Sequence, residues 1–429
     1  MKIYGARALK GEAKLPADKS ISHRATLLGA IAEGVTRIEN FSDAADCRST
    51  LDCLRQLGVG ITQEGTVVKI EGRGKGGLRP PETPLDCGNS GTTMRLLAGI
   101  LAGQPFDSVL VGDSSLMRRP MGRIIEPLTR MGAEIESDRG RPPLRMRGRS
   151  KLNSIDLITE KPSAQVKSCV LLAGLFAEGN TSVIEAVKTR DHTERMLKHM
   201  GAEVAVEEKD GHRVAISGNS VLRGSSITVP ADISAATFFL VGAACLPGSE
   251  ISFPGVGVNP TRNAVIDMIR RCGVEITLTN ERVVNNEPVA DMVASSTGVR
   301  DETLVIEGSE AARLIDELPA LAVLGTRLPK GIVVHGAADL RVKESDRIDA
   351  IVAGLRAMGA DAEEMADGFR VGHSRLEGAR VDSADDHRIA MALAVAGLLA
   401  EGETEIVGAE CVDISFPDFF EVLDGLAVW

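Results

Sequence analysis

The chain has 429 residues, 43% of them apolar, with 49 Lys+Arg against 60 Asp+Glu and a formal net charge of −11. Length and composition fit an ordinary globular protein of two or three domains and exclude a disordered or fibrous one. An acidic chain with one Trp and one Tyr lacks the basic field and stacking rings that nucleic acid requires, and its longest uncharged apolar run, residues 389–400, is too short to cross a bilayer.

Residues 1–14 alternate apolar and polar side chains and show no signal-type segment. From there the predicted elements repeat. A polar pair, an apolar stretch rich in Leu and Ala, a glycine and a strand-like run recur six times. The pairs are Lys19-Ser20, Asn89-Ser90, Ser163-Ala164, Asp232-Ile233, Asp316-Glu317 and Asp386-His387. The glycines Gly34, Gly103, Gly179, Gly248, Gly331 and Gly402 follow 14–16 residues later, so each stretch reads as a buried helix stopped by glycine. A second, more amphipathic helix is expected to end at Gly58, Gly132, Gly201, Gly273, Gly359 and Gly425, the first five leading directly into strands. Two matched series of intervals mark an internal repeat.

The sixth repeat runs out at Trp429, and residues 216–232 resemble residues 3–18, each ending in Pro-Ala-Asp. The N-terminal segment is therefore expected to complete the sixth repeat. Residues 17–229 form one domain of three repeats, and 1–16 plus 230–429 the other, with hinge strands near 14–18 and 228–232. The seven scattered cysteines include no Cys-x-x-Cys pair, which suggests free thiols in a reducing cytoplasm and no structural zinc.

Each polar opener begins a buried helix, where free amides and the helix dipole favour an anion. Cations gather at these places: Lys19, Arg24, Arg95, Arg119, Lys167, Arg190, Lys343, Arg347 and Arg388. They oppose the local dipole, so helix stability does not explain them. An acidic protein that concentrates cations there is built for multiply charged small molecules. Plain alternatives stand beside this reading. Ser20, Ser163 and Asp232 also fit simple N-caps, the more common role of such residues there, Arg95 and Lys167 divide evenly between site and solvated face, and Asn89 between two glycines also fits a tight turn. Residues 72–77 read as a loop, without the Gly-Lys-Ser/Thr ending of a phosphate loop. Asp316, Glu317 and Glu344 are the acid–base candidates.

Several of these stretches resemble the signatures of the EPSP (5-enolpyruvylshikimate-3-phosphate) synthase family: Lys19-Ser20-Ile21-Ser22-His23-Arg24-Ala25, Gly88-Asn89-Ser90-Gly91-Thr92, Arg119-Pro120, Ser163-Ala164-Gln165-Val166-Lys167, Arg341-Val342-Lys343-Glu344-Ser345-Asp346-Arg347 and Asp386-His387-Arg388. The resemblance implies a two-domain, inside-out α/β fold of six βαβαββ repeats. It implies transfer of the carboxyvinyl group of phosphoenolpyruvate to the 5-hydroxyl of shikimate 3-phosphate, a step of the shikimate pathway to aromatic amino acids, in a cytoplasmic monomer without metal or cofactor. Shikimate 3-phosphate would be held by Lys19, Ser20, Arg24, Ser163, Ala164, Gln165, Arg190, Asp316 and Lys343. Phosphoenolpyruvate would meet Lys19, Asn89, Gly91, Arg119, Gln165, Arg347, His387 and Arg388. Asp316, Glu344 and Lys19 would carry the proton transfers, and the halves would close around the substrates.

The chain also departs from the family pattern. Ile414, before Ser415-Phe416-Pro417, replaces a lysine that many members use toward phosphoenolpyruvate. Gly91 is retained where many glyphosate-tolerant members carry Ala, although other stretches look like the less sensitive branch. The sister enzyme acting on UDP-N-acetylglucosamine would show Asn after Lys19 and a cysteine within residues 113–120, and neither is found. A non-catalytic anion-binding repeat protein would need the cations but not Asp316 and Glu344.

Overall fold

The computed structural model describes residues 1–149, 151–208, 211–300 and 303–429. The chain divides into two compact halves. The first comprises Ala17–Val229 with Val283–Glu287, and the second Met1–Pro16, Pro230–Arg282 and Pro288–Trp429. Residues 283–287, which the sequence alone leaves with the rest of 230–429, group with the first half for polar reasons. Asn285 accepts from the Thr228 amide, the Asn286 carbonyl accepts from Arg195, and Glu287 pairs with buried His192.

The first half holds α1 (Lys19–Ala30), α2 (Ala45–Gln56), α3 (Gly91–Leu101), α4 (Gly122–Arg130), α5 (Ala164–Gly174) and α6 (His192–His199). The second holds α7 (Ile233–Cys245), α8 (Ala264–Arg271), α9 (Gly308–Arg313), α10 (Leu318–Gly325), α11 (Arg347–Ala357), α12 (His387–Leu399) and α13 (Phe419–Leu426). The six apolar stretches are α1, α3, α5, α7, α10 and α12. Every residue of α7 and α10 is buried, and in α12 all but Arg388. Helices apolar on every face lie inside a fold rather than on it, and here α7, α10 and α12 pack on one another while α3 packs on α1 and α5. The sheets bury alternate residues, as in Arg141–Met146 and Leu304–Ile306.

Their topology repeats. Leu85–Asp86 runs parallel to Ser108–Val111, which pairs antiparallel with Arg141–Met146, itself antiparallel to Ile135–Asp138. This βαβαββ pattern recurs with Asp156–Thr159, Asn180–Glu185, Val204–Glu207 and His212–Ser217, and with Leu304–Ile306, Ile332–Val334, Ala362–Met365 and Gly368–Val371. The first repeat takes its opening strand, Ser226–Thr228, from the far end of its half, parallel to Glu33–Glu39. The N-terminal segment does not serve the sixth repeat alone. Lys2–Tyr4 joins that sheet, antiparallel to Glu403–Val407, but Ala8–Glu12 opens the fourth repeat, parallel to Glu250–Gly257. The reason is that α7 begins directly after the chain enters the second half, so its repeat needs an opening strand from elsewhere.

The glycines of the first series do not stop the buried helices. Those end two to six residues earlier, and Gly34 lies within the strand Glu33–Glu39. In the second series the expected stop is present five times. Gly58, Gly132, Gly201, Gly273 and Gly359 stand at φ +81° to +103°, each donating to the carbonyl three residues back while the next residue reaches back five. This closes the helix with the left-handed residue that glycine adopts at least cost. Gly425 lies inside α13 instead. Residues 72 and 73 end the strand Val67–Arg73 and the following turn is a loop.

Candidate active site

In the first half the starts of α1, α3 and α5 are tied by polar side chains. Asp18, Ser90 and Ser163 cap the three helices, each accepting from an amide of the first turn. Buried His23 of α1 hydrogen-bonds Thr50 at 2.7 Å, Thr50 bonds Thr93 at 2.7 Å, and Thr93 donates to Ser90 at 2.8 Å. Burial, and then Lys19 and Arg24, push the His23 pKa down to about 3, so the ring is neutral and adds no charge. Lys19 opens α1, its Nζ 3.4 Å from Asp46, and the half-buried Ser20 offers its carbonyl to Arg24 at 2.9 Å.

Arg24 is buried, and its remaining bonds go to Thr193 Oγ1 at 2.7 Å and Ser168 Oγ at 2.8 Å. Its partners are thus two hydroxyls and a carbonyl, which orient the guanidinium without neutralising it. Burial lowers its pKa to about 10, opposed by Glu194 and Asp18 and aided by Arg190, so at neutral pH a positive charge is held at a desolvation cost that a bound anion would relieve.

Arg119 is 6% exposed and donates to the Asn89 carbonyl at 3.1 Å, to Asn89 Oδ1 at 2.5 Å and to Ser115 at 3.2 Å. Asn89 also donates to Asp113 at 2.6 Å; its side chain orients Arg119 rather than standing open. Gln165 accepts from Arg95 at 2.7 Å and donates to Thr92 at 3.0 Å. A Cβ on Gly91 would lie 2.7 Å from Arg95 Nη1 and 3.3 Å from Arg119 Nη1, so glycine is what lets two guanidinium groups crowd the start of α3. Ala164 is the first residue of α5, and the half-buried Arg190 precedes α6. Lys167 does not lie on a solvated face. It is fully buried between Glu185 at 2.7 Å and Glu194 at 2.8 Å; burial works against its charge, but the glutamates outweigh it and raise its pKa. It is a structural cation.

In the second half the starts of α7, α10, α11 and α12 share an ion-pair cluster. Arg347, the first residue of α11, is 1% exposed. It bonds Asp386 at 2.7 Å and Glu344 at 2.6 Å and lies 3.6 Å from Asp316; burial opposes its charge, and Asp386, Glu344 and Asp316 more than restore it. Lys343 donates to Asp316 Oδ1 at 3.2 Å. Buried Arg262 donates to Glu317 at 3.0 Å and lies 4.0 Å from Asp316. Arg388 donates from one nitrogen to Ser234 Oγ and to the Asp316 carbonyl, both at 2.8 Å. His387 is buried at the start of α12, its Nδ1 4.0 Å from Asp386. Asp316, Lys343, Glu344, Arg347 and Arg388 therefore meet through these contacts. Sequence reasoning missed Asp46 beneath Lys19, and Asp386 as the anchor of Arg347. It also missed the link from Ser234 through Glu317 to Arg262. Ile414 packs against the apolar core to which Phe416 and Phe419 also belong, two residues whose rings meet edge to face.

Such a set can bind multiply charged anions and move protons. Among the described residues no group of His, Cys, Asp and Glu could hold a metal ion, and no helix is long and apolar enough to cross a membrane.

Comparison with known proteins agrees with this chemistry. The family model for EPSP synthase (3-phosphoshikimate 1-carboxyvinyltransferase) matches residues 3–423. Relatives named 3-phosphoshikimate 1-carboxyvinyltransferase include that of Koribacter versatilis, 51% identical over 99% of this chain and 98% of its own. That of Pelotomaculum thermopropionicum is 52% identical over 97% and 96%. The solved EPSP synthase of Acinetobacter baumannii superposes with a TM-score of 0.86 at 42% identity, covering 99% of this chain and 97% of that one. The chain belongs to the EPSP synthase (3-phosphoshikimate 1-carboxyvinyltransferase) family.

Proposed function

We propose that this chain transfers the carboxyvinyl group of phosphoenolpyruvate to the 5-hydroxyl of shikimate 3-phosphate, releasing phosphate. The observation that carries this reading is the second-half cluster, where Lys343 and Arg347 stand for anionic substrates against Asp316 and Glu344, two carboxylates able to carry protons. Two substrates with two phosphates and two carboxylates repel one another unless fixed cations surround them, and preorganised charge of this kind is the largest lever an enzyme has over such a reaction.

In this reading shikimate 3-phosphate engages Lys19, Ser20, Arg24, Ser163, Ala164, Gln165, Arg190, Asp316 and Lys343. Phosphoenolpyruvate engages Lys19, Gly91, Arg119, Gln165, Arg347, His387 and Arg388, with Asn89 holding Arg119. Asp316 takes the proton of the 5-hydroxyl as its oxygen attacks the central carbon of phosphoenolpyruvate. Glu344 delivers a proton to the methylene carbon, and a tetrahedral intermediate results. Elimination removes one methyl proton and expels phosphate, restoring the double bond. Lys19 stabilises the charge that develops. The enzyme works as a cytoplasmic monomer and should elute with the mass of a single chain.

Proton NMR of the two substrates in deuterated water tests the proposal. An enol ether product should form, with deuterium entering the methylene carbon. In Glu344→Gln that incorporation should slow by about a hundredfold or more. Exchange at the wild-type rate would remove Glu344 from its role, and an active wild-type protein that accepts UDP-N-acetylglucosamine instead would replace the substrate.

A further inference from the structure

The two cations at the centre of the second-half cluster are held in opposite ways. Arg347 touches carboxylates directly. Arg388 touches a hydroxyl and a carbonyl, both neutral, and has no carboxylate within ion-pair distance among the described residues. The hydroxyl belongs to Ser234, buried in the first turn of α7. Ser234 donates to Glu317 Oε1 at 2.5 Å and accepts from Arg388 Nη1 at 2.8 Å, while Arg262 holds the same Glu317 oxygen at 3.0 Å. The order is therefore Arg262, Glu317, Ser234, Arg388, with one hydroxyl interposed between a buried carboxylate and the guanidinium.

We infer that Ser234 is a positioning residue for phosphoenolpyruvate: it fixes the orientation of Arg388 while keeping Glu317 from neutralising it. The hydroxyl spends its proton on Glu317, so its lone pairs face Arg388, which defines the direction of the bond. Glu317 is locked by Arg262 and cannot swing toward Arg388 without breaking that pair. The guanidinium is thereby aimed and charged, and its remaining donors stay available for an anionic substrate. Without the hydroxyl, Arg388 keeps one acceptor, the Asp316 carbonyl, and Glu317 is restrained from it by Arg262 alone. The inference rests on the assignment of Arg388 to phosphoenolpyruvate made above.

Steady-state kinetics of Ser234→Ala and Ser234→Thr against the wild type test it. Loss of one charge-assisted hydrogen bond should raise KM for phosphoenolpyruvate about tenfold or more in Ser234→Ala, with KM for shikimate 3-phosphate and the melting temperature nearly unchanged. Ser234→Thr, which keeps the hydroxyl, should restore the wild-type value to within about threefold. Should Ser234→Ala fold poorly, Ser234→Cys keeps the shape with a weak acceptor and should show the same one-sided rise. An unchanged KM for phosphoenolpyruvate, or an equal rise in both KM values, overturns the role of Ser234 in an active enzyme. A wild-type protein without transferase activity would instead overturn the assignment beneath it.

Discussion

At the level of single residues, each half separates a cation that is neutralised from one that is merely oriented. Lys167 and Arg347 sit on carboxylates; Arg24 and Arg388 sit on neutral acceptors. Little of that division could be read from the chain. Lys167 stood at even odds because its glutamates lie 18 and 27 positions away, at no spacing that a helix would bring together. Arg262 finds Glu317 across 55 residues for the same reason. The residues at the helix starts, by contrast, were mostly legible, because capping and charge there are local, although Asp18 rather than Ser20 caps α1.

Buried His23 gives a pH prediction at this scale. Its folded pKa of about 3 lies below the ordinary 6.5. Between those values the unfolded chain takes up a proton that the folded chain refuses, so stability falls as pH drops from 6.5 toward 3 and the penalty is absent above 6.5. In His23→Gln that contribution should vanish. Urea denaturation at neutral pH and at about pH 4.5 should show a smaller acid-induced loss in the variant than in the wild type. An equal loss would show that the ring protonates freely in the fold.

Among the elements, the second-series helices were the most legible part of the fold, since a left-handed closing residue is a backbone demand that one glycine meets. Five such closures stand where the glycines predicted them. The first-series glycines misled because the buried helices finish in irregular turns, and the demand for positive φ falls in the link to the next strand, as at Gly248 and Gly331. Strand exchange was half visible. The likeness of residues 3–18 to 216–232 pointed to a shared role, but which sheet accepts Ala8–Glu12 depends on parallel partners more than 230 residues away.

Gly359, at φ +85° with the Arg375 carbonyl 3.8 Å from a would-be Cβ, isolates the conformational part of this demand. Gly359→Ala should cost about 1–2 kcal/mol of stability, the price of placing an L-residue in the left-handed region. Its kcat should not change, because Gly359 lies at the far end of α11 from Arg347. An unaltered urea midpoint would mean that the turn rearranges freely.

For the molecule as a whole, three repeats in each half place three buried helix starts together twice, and each grouping holds fixed cations. The pairing of two such groupings with two mutually repelling substrates underlies the expectation that the halves draw together on binding, with the chain crossings near Pro16 and Pro230 as hinges. Small-angle scattering should show a smaller radius of gyration with shikimate 3-phosphate and phosphoenolpyruvate than without. An unchanged radius would count against closure.

Release of inorganic phosphate is the most direct test of the transferase reading. It should require shikimate 3-phosphate and phosphoenolpyruvate together and should fall by about a hundredfold or more in Asp316→Ala, which removes the proposed base toward the hydroxyl. Release from phosphoenolpyruvate alone, or release undiminished by that substitution, would contradict it.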